Sequence, residues 1–134
     1  MAESILVVDD EQSIRDILTE WLQGAGYCTF SASNGLEGLN TLYHQHPDLV
    51  ITDILMPQID GYEMCSLIRQ ISGTPIMVVT TLDKETARVK GLRAGADDFV
   101  VKPVNMQSFL SRVSFLLHRN RGANRPPTVD RFPA

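Results

Sequence analysis

The chain has 134 residues, enough for one domain with a real hydrophobic core; 43% of them are hydrophobic, 21% are charged, and the formal net charge is −4. An acidic balance argues against a nucleic-acid surface on this chain, because phosphate binding needs a basic patch. No apolar run approaches the roughly 20 residues of a membrane span, and no basic stretch leading into an apolar one marks a secretory leader. Cys28 and Cys65 are too few and too scattered for a disulfide scaffold or a zinc site, so both are expected as reduced thiols in a cytoplasmic core.

The first apolar run covers residues 5–9 and ends in two adjacent carboxylates, Asp9 and Asp10. A helical period follows over 13–23, with Ile14, Ile17, Leu18, Trp21 and Leu22 on one face and "GAG" as its stop. Residues 28–33 form a second extended run, and 35–44 a second helix carrying Leu36, Leu39, Leu42 and Tyr43. His44 and His46 lie beside Pro47 at that helix end, where solvated roles are expected. A third run covers 49–53, with a helix over 62–71 presenting Met64, Leu67, Ile68 and Ile71. The fourth run, 76–80, precedes a weakly apolar helix over 84–94, which has only Ala87, Val89 and Leu92 and contains Gly91, a poor helix former. The fifth run, 99–102, precedes a helix over 106–119 with Met106, Phe109, Leu110, Val113, Leu116 and Leu117. Beyond it, "NRGANRPPTVDRFPA" is rich in proline and poor in apolar residues, so 1–120 reads as the domain and 121–134 as a linker or C-terminal tail.

"ILVV", "LVI" and "IMVV" are apolar without alternation, the mark of parallel strands buried on both faces. Five alternating strand–helix units predict an α/β fold of the flavodoxin-like, doubly wound kind: five parallel strands in the order 2-1-3-4-5, with five helices. In that order strands 1 and 3 are neighbours at the point where the chain reverses direction, and sites form there, beyond the carboxyl ends of the strands.

Those ends carry Asp9-Asp10, Asp53, Thr80-Thr81 and Lys102-Pro103. Singly, each fits a turn or a cap. Together they make a coherent chemistry. Three clustered carboxylates repel one another and favour capture of a cation. Oxygen-only ligands suit a hard ion, Mg²⁺ or Mn²⁺. A carboxylate can also attack phosphorus, and phosphoryl transfer then needs little beyond positioning and charge neutralisation.

"ILVVDDEQSIRDIL", "PDLVITDILMPQIDGYE", "PIMVVTT" and "GADDFVVKP" resemble, in order and spacing, the receiver domain of two-component response regulators over about residues 3–119. The resemblance implies a phosphorylation-dependent switch in a phosphorelay, loaded by a sensor histidine kinase or a histidine phosphotransfer protein. Asp53 would be the phosphoryl acceptor. Mg²⁺, for which Mn²⁺ can substitute, would be bound by Asp53, by Asp10 directly, by Asp9 mainly through water and by the Leu55 backbone carbonyl. Thr80 would hydrogen-bond the phosphoryl group, and Lys102 would pair with one of its oxygens. Pro103 would follow a cis peptide bond that aims Lys102. Met56-Pro57 and Asp60-Gly61 would shape the loop after the acceptor, and Phe99 would be the switch aromatic that moves inward with Thr80.

Several positions depart from the family's commonest pattern. Thr81 stands where Ala or Gly is usual. Leu55 and Leu82, which line access to the phosphoryl group, cannot orient a water, which favours a long-lived acyl phosphate. Phe99 replaces the frequent Tyr, so its two orientations would differ only by packing. "RVKGLRAGADDFVVKP" is similar to the regulators with a winged-helix DNA-binding domain, which dimerise through helix 4, strand 5 and helix 5. Val89 and Leu92 match that apolar patch, and Asp97 with Arg112 matches one ion pair. Arg88 meets Ser108 where an acidic partner would be expected. Two outputs stay open: the N-terminal part of a DNA-binding transcription regulator, or a stand-alone regulator that relays phosphate or binds a partner protein. An Mg²⁺-dependent aspartyl-phosphate-type phosphatase is the remote alternative, opposed by Leu55 at the position of its second carboxylate.

Overall fold

The computed structural model describes residues 2–122. Five parallel strands form one sheet in the order β2-β1-β3-β4-β5: β1 Ser4–Val8, β2 Cys28–Ala32, β3 Leu49–Thr52, β4 Ile76–Thr80 and β5 Asp98–Val101. The helices between and after them are α1 Gln12–Gly24, α2 Gly35–Gln45, α3 Gly61–Ile71, α4 Glu85–Ala94 and α5 Met106–Gly122. Helix α5 runs past the expected end at 119, and the reading of 123–134 as linker or tail lies outside the described residues.

The three central strands are buried along almost their whole length, which is why their sequences lack alternation. Period-2 geometry still divides them between two cores. Leu6, Val8, Val50, Ile76 and Val78 face Leu42 of α2, Met64 and Ile68 of α3, and half-buried Ala87 and Leu92 of α4. Ile5, Val7, Leu49, Ile51, Met77 and Val79 face Leu18 and Leu22 of α1 and Phe109, Val113, Leu116 and Leu117 of α5.

Local signals set the helix starts. The Asn34 side chain accepts from the Glu37 amide at 2.8 Å to cap α2, and Asp60 accepts from the Glu63 amide at 2.9 Å to cap α3. Two expectations are corrected. Cys28 begins edge strand β2 and is exposed; only Cys65 is a core thiol, and burial pushes its pKa up to about 12, leaving it unreactive. Leu36 and Tyr43 are exposed, because α2 rests on the sheet through Gly38, where an added Cβ would lie 2.9 Å from Val8 Cγ2. Among the described residues, no helix is long and apolar enough to cross a membrane.

Candidate functional site

Strands β1, β3, β4 and β5 end side by side, so their terminal residues meet at one edge of the sheet. The register aligns Val8 with Thr52, Thr52 with Val78, and Thr80 with Val101. Asp9, Asp53 and Lys102 are each the first residue after their strand, and Thr80 is the last of β4.

Asp9 and Asp53 are 2% and 4% exposed. Two carboxylates this deep need a cationic partner, and Lys102 is that partner. Its Nζ donates to Asp53 Oδ2 at 3.0 Å and to Asp9 Oδ2 at 3.1 Å, with Glu11 Oε1 at 3.7 Å. The other carboxylate oxygens are held by backbone. Asp53 Oδ1 accepts from the amides of Ile54 at 2.6 Å and Leu55 at 3.2 Å, and Asp9 Oδ1 accepts from the Glu11 amide at 2.9 Å. Burial raises the pKa of Asp9, and the Glu11 amide and Lys102 only partly offset it. Burial opposes the charge on Lys102, but its bonds to Asp53 and Asp9 outweigh that and raise its pKa.

The loop after Asp53 is held close by Gly61, whose amide donates to the Ile54 carbonyl at 2.9 Å. A Cβ at residue 61 would lie 2.6 Å from Ile54 Cα, so only glycine lets α3 begin there. Thr80 is fully buried; its hydroxyl oxygen accepts from the Leu82 amide at 3.4 Å, and its carbonyl accepts from the Lys102 amide at 2.7 Å. The Lys102–Pro103 peptide is cis. Asp10 is exposed beside the cluster, and Leu55 is exposed at its rim. Phe99 is buried against α4.

Two residues that the sequence reading passed over also shape the site. Arg15, one turn into α1, donates to the Asp9 carbonyl at 2.6 Å and so fixes the peptide joining the two acids. Glu11 adds a third carboxylate near Lys102. Three acids with an arginine four residues on, in "DDEQSIR", are the only signal for either, and they fit an ordinary helix start equally well.

The donors are oxygens throughout, and two buried carboxylates already grip a cationic group, so the residue types fit a hard cation. Among the described residues, no three Asp, Glu, His or Cys side chains converge as a ligand group; the Lys102 ammonium holds the position between Asp9 and Asp53.

Residues 5–114 match the family model for the response regulator receiver domain. The chain belongs to that family. It is similar to a protein from Guillardia theta named "Probable transcriptional regulator ycf27", at 45% identity over 121 residues, covering 90% of this chain and 48% of that one. A namesake from Porphyridium aerugineum is 43% identical over 87% of this chain and 49% of its own length. The receiver domain thus spans about half the length of these curated relatives. Among solved structures, a CheY-like response regulator receiver domain protein from Methanospirillum hungatei JF-1 superposes with a TM-score of 0.88 at 28% identity, covering 92% of this chain and all of that one, 100%. The BeF3-activated DrrB receiver domain gives a TM-score of 0.83 at 33% identity, covering 89% of this chain and 100% of its own.

Away from the cluster, the two acids at the start of β5 are paired within the chain. Arg112 bonds both carboxylate oxygens of Asp98, at 2.8 and 2.9 Å, not Asp97. Asp97 is taken by Arg69 at 2.7 Å, by the Ile76 amide at 2.8 Å and by Arg119 at 3.0 Å. Adjacent residues entering a strand point to opposite sides, so the two acids take different partners: Asp98 meets Arg112, and Asp97 meets Arg69 and, farther along α5, Arg119. Arg88, which meets no acid at Ser108, pairs with Glu85 one turn earlier at 3.8 Å; both are exposed and the contact contributes little. Val89 and Leu92 are half-buried on α4.

Proposed function

We propose that this receiver domain takes a phosphoryl group onto Asp53 from the phosphohistidine of a sensor histidine kinase or histidine phosphotransfer protein, and acts in the cytoplasm as a phosphorylation-dependent switch. The observation that carries the proposal is the pair of buried carboxylates gripped by Lys102 at the switch point of the sheet. In transfer, Asp53 Oδ2 attacks phosphorus, the phosphorus–nitrogen bond breaks, and the donor imidazole keeps the electron pair. The Ile54 and Leu55 amides hold Oδ1 still, so one oxygen is presented to the donor. Lys102 then neutralises a phosphoryl oxygen, and Thr80 can hydrogen-bond another. Asp53, Asp10, the Leu55 carbonyl and, through water, Asp9 would hold Mg²⁺ or Mn²⁺, which supplies positive charge to the transferring group. The domain catalyses only its own phosphorylation and dephosphorylation. Label taken up from a phosphorylated kinase should be one group per chain and cleaved by hydroxylamine, as an acyl phosphate is; hydroxylamine-stable label would place it on another residue type.

Asp10 is exposed while Asp9 is already bonded to Lys102 and the Glu11 amide, and this supports the division of labour between them. Asp10→Asn is expected to weaken Mg²⁺ binding more than Asp9→Asn in calorimetric titration, because a direct carboxylate contact to a hard ion outweighs one through water. The opposite ranking would reverse the two roles.

The donor must approach from beside Lys102. An apolar groove of about 530 Å³ lies there, lined by Ile14, Ile17, Trp21, Thr81, Pro103 and Val104. Ile17 is 43% exposed on α1, a poor place for an isoleucine that touches nothing. Ile17→Lys is expected to slow transfer from a phosphorylated kinase by about tenfold or more while leaving uptake from acetyl phosphate unchanged. Equal slowing with both donors would show an effect on the site itself.

The output reading is a DNA-binding transcription regulator of which this chain is the receiver part, supported by relatives that are named as probable transcriptional regulators and are about twice as long. Its dimer face would use α4, β5 and α5, with Arg88, Val89, Leu92, Asp97 and Arg112.

A further inference from the structure

Gly91 sits in the middle of α4, is buried, and has an ordinary right-handed helical backbone. Glycine is less favourable there than alanine, and no turn or positive φ requires it. What requires it is one neighbouring ring. A Cβ at residue 91 would lie 2.9 Å from Phe99 Cδ2 and 3.0 Å from Phe99 Cε2, while its third neighbour, Tyr62 Cε1, is at 3.9 Å, an ordinary contact. The crowding therefore comes from Phe99 alone.

Phe99 pairs with Val78 across β4 and β5, and both belong to the core beneath α3 and α4. Thr80 lies two residues beyond Val78, on the same face of β4. The ring thus stands between the hydroxyl proposed to meet the phosphoryl group and the helix of the output face. It has no hydroxyl, so packing alone decides whether it lies inward or outward. Helix α4 is otherwise weakly fastened: Gly91 is its only buried residue, and Tyr62 holds it from α3 through a 3.3 Å hydrogen bond to the Ala87 carbonyl.

We propose that Gly91 is the positioning residue for Phe99: the missing side chain at 91 is the slot that receives the inward ring, and its depth sets the balance between the inward and outward positions. This rests on the reading of Phe99 as the switch aromatic. A methyl group at 91 overpacks the inward position and leaves the outward one untouched, so it shifts the population outward. A glycine that merely relieved core crowding would affect both positions alike.

The test uses Gly91→Ala, Phe99→Leu and the double variant, with beryllofluoride and Mg²⁺ as the phosphoryl probe. In the wild type, beryllofluoride should shift backbone amide signals in the Asp53–Leu55 loop and also on α4 and β5. In Gly91→Ala the loop should still shift, while the α4 and β5 shifts should fall by about fivefold or more, the population change that overpacking by one methyl produces. Thermal unfolding guards against simple loss of fold. Gly91→Ala should lower the midpoint when residue 99 is Phe and raise it when residue 99 is Leu, because the shorter side chain clears the slot and alanine's helix preference remains. Wild-type shifts on α4 and β5 in Gly91→Ala, or an equal drop in midpoint in both backgrounds, would overturn the slot. A wild type whose loop responds while α4 and β5 stay silent overturns the switch reading itself, and the slot with it.

Discussion

Asp53→Asn is expected to incorporate no phosphate from acetyl phosphate and Mg²⁺ under conditions in which the wild type gains one group per chain by intact mass. Asp9 is nearly as buried and touches the same lysine, so the choice between them needs a reason. Position in the sheet supplies it. Asp53 follows the central strand β3, flanked by β1 and β4. A phosphoryl group on it has the acidic pair on the β1 side, Thr80 on the β4 side, and the Lys102 ammonium within reach. A group on Asp9 would sit one strand farther from Thr80 and could not draw on that hydroxyl. Asparagine keeps the shape and the amide contacts to Oδ1 but has no nucleophilic oxygen. It also removes one of the two buried charges facing Lys102, so the variant should stay folded, which circular dichroism checks. Equal labelling of the Asp53→Asn variant and the wild type would sink the assignment, and labelling lost only in Asp9→Asn would move it.

Much of this site was legible in the sequence because the chemistry sits where topology concentrates it. Three unalternating runs, "ILVV", "LVI" and "IMVV", suit strands buried on both faces, and five extended runs separated by helices leave few arrangements. Once the order 2-1-3-4-5 is written down, Asp9, Asp53, Thr80 and Lys102 fall at one edge with no further assumption. What escaped was set by close approach and by register. Apolar counting placed Leu36 and Tyr43 inward, yet Gly38 brings α2 down on Val8 and turns both outward. A glycine adds nothing to an apolar stripe, so the stripe misjudges the face. The same blindness hid Gly91, which reads as a weak point in α4 until the Phe99 ring is seen against it. Asp97 and Asp98 are chemically identical neighbours, and only the start of β5 at Asp98 decides which one Arg112 meets within the chain. A pattern of residue types does not carry a one-residue register.

Lys102→Ala is expected to destabilise the metal-free domain by about 3 kcal/mol at neutral pH, because it leaves two buried carboxylates facing each other without their cation. The lysine side chain is 9% exposed, so water cannot readily take over its role. The deficit should depend on pH. Burial raises the pKa of Asp9 in the folded state, and Lys102 is among the groups that hold it down. Without the lysine it rises further. A carboxyl group whose folded pKa exceeds its unfolded value favours folding below the unfolded value, and that contribution is lost as pH rises through the folded pKa. The gap between variant and wild type should therefore narrow on acidification. It should narrow again in strong alkali, because the raised pKa of Lys102 makes its own contribution full below the ordinary lysine value of 10.5 and lost above the folded one. Mg²⁺ should raise the unfolding midpoint of the variant more than that of the wild type, since the ammonium and the metal compete for the same carboxylates before phosphorylation. After phosphorylation the two act on different oxygens, and no metal replaces the lysine's link to the phosphoryl group. The variant should bind Mg²⁺ at least as well as the wild type, yet beryllofluoride should leave its α4 and β5 amide signals unmoved. Weaker Mg²⁺ binding would mean that Lys102 builds the metal site rather than competing for it, and a wild-type pattern of shifts would mean that the signal reaches Thr80 and Phe99 without it.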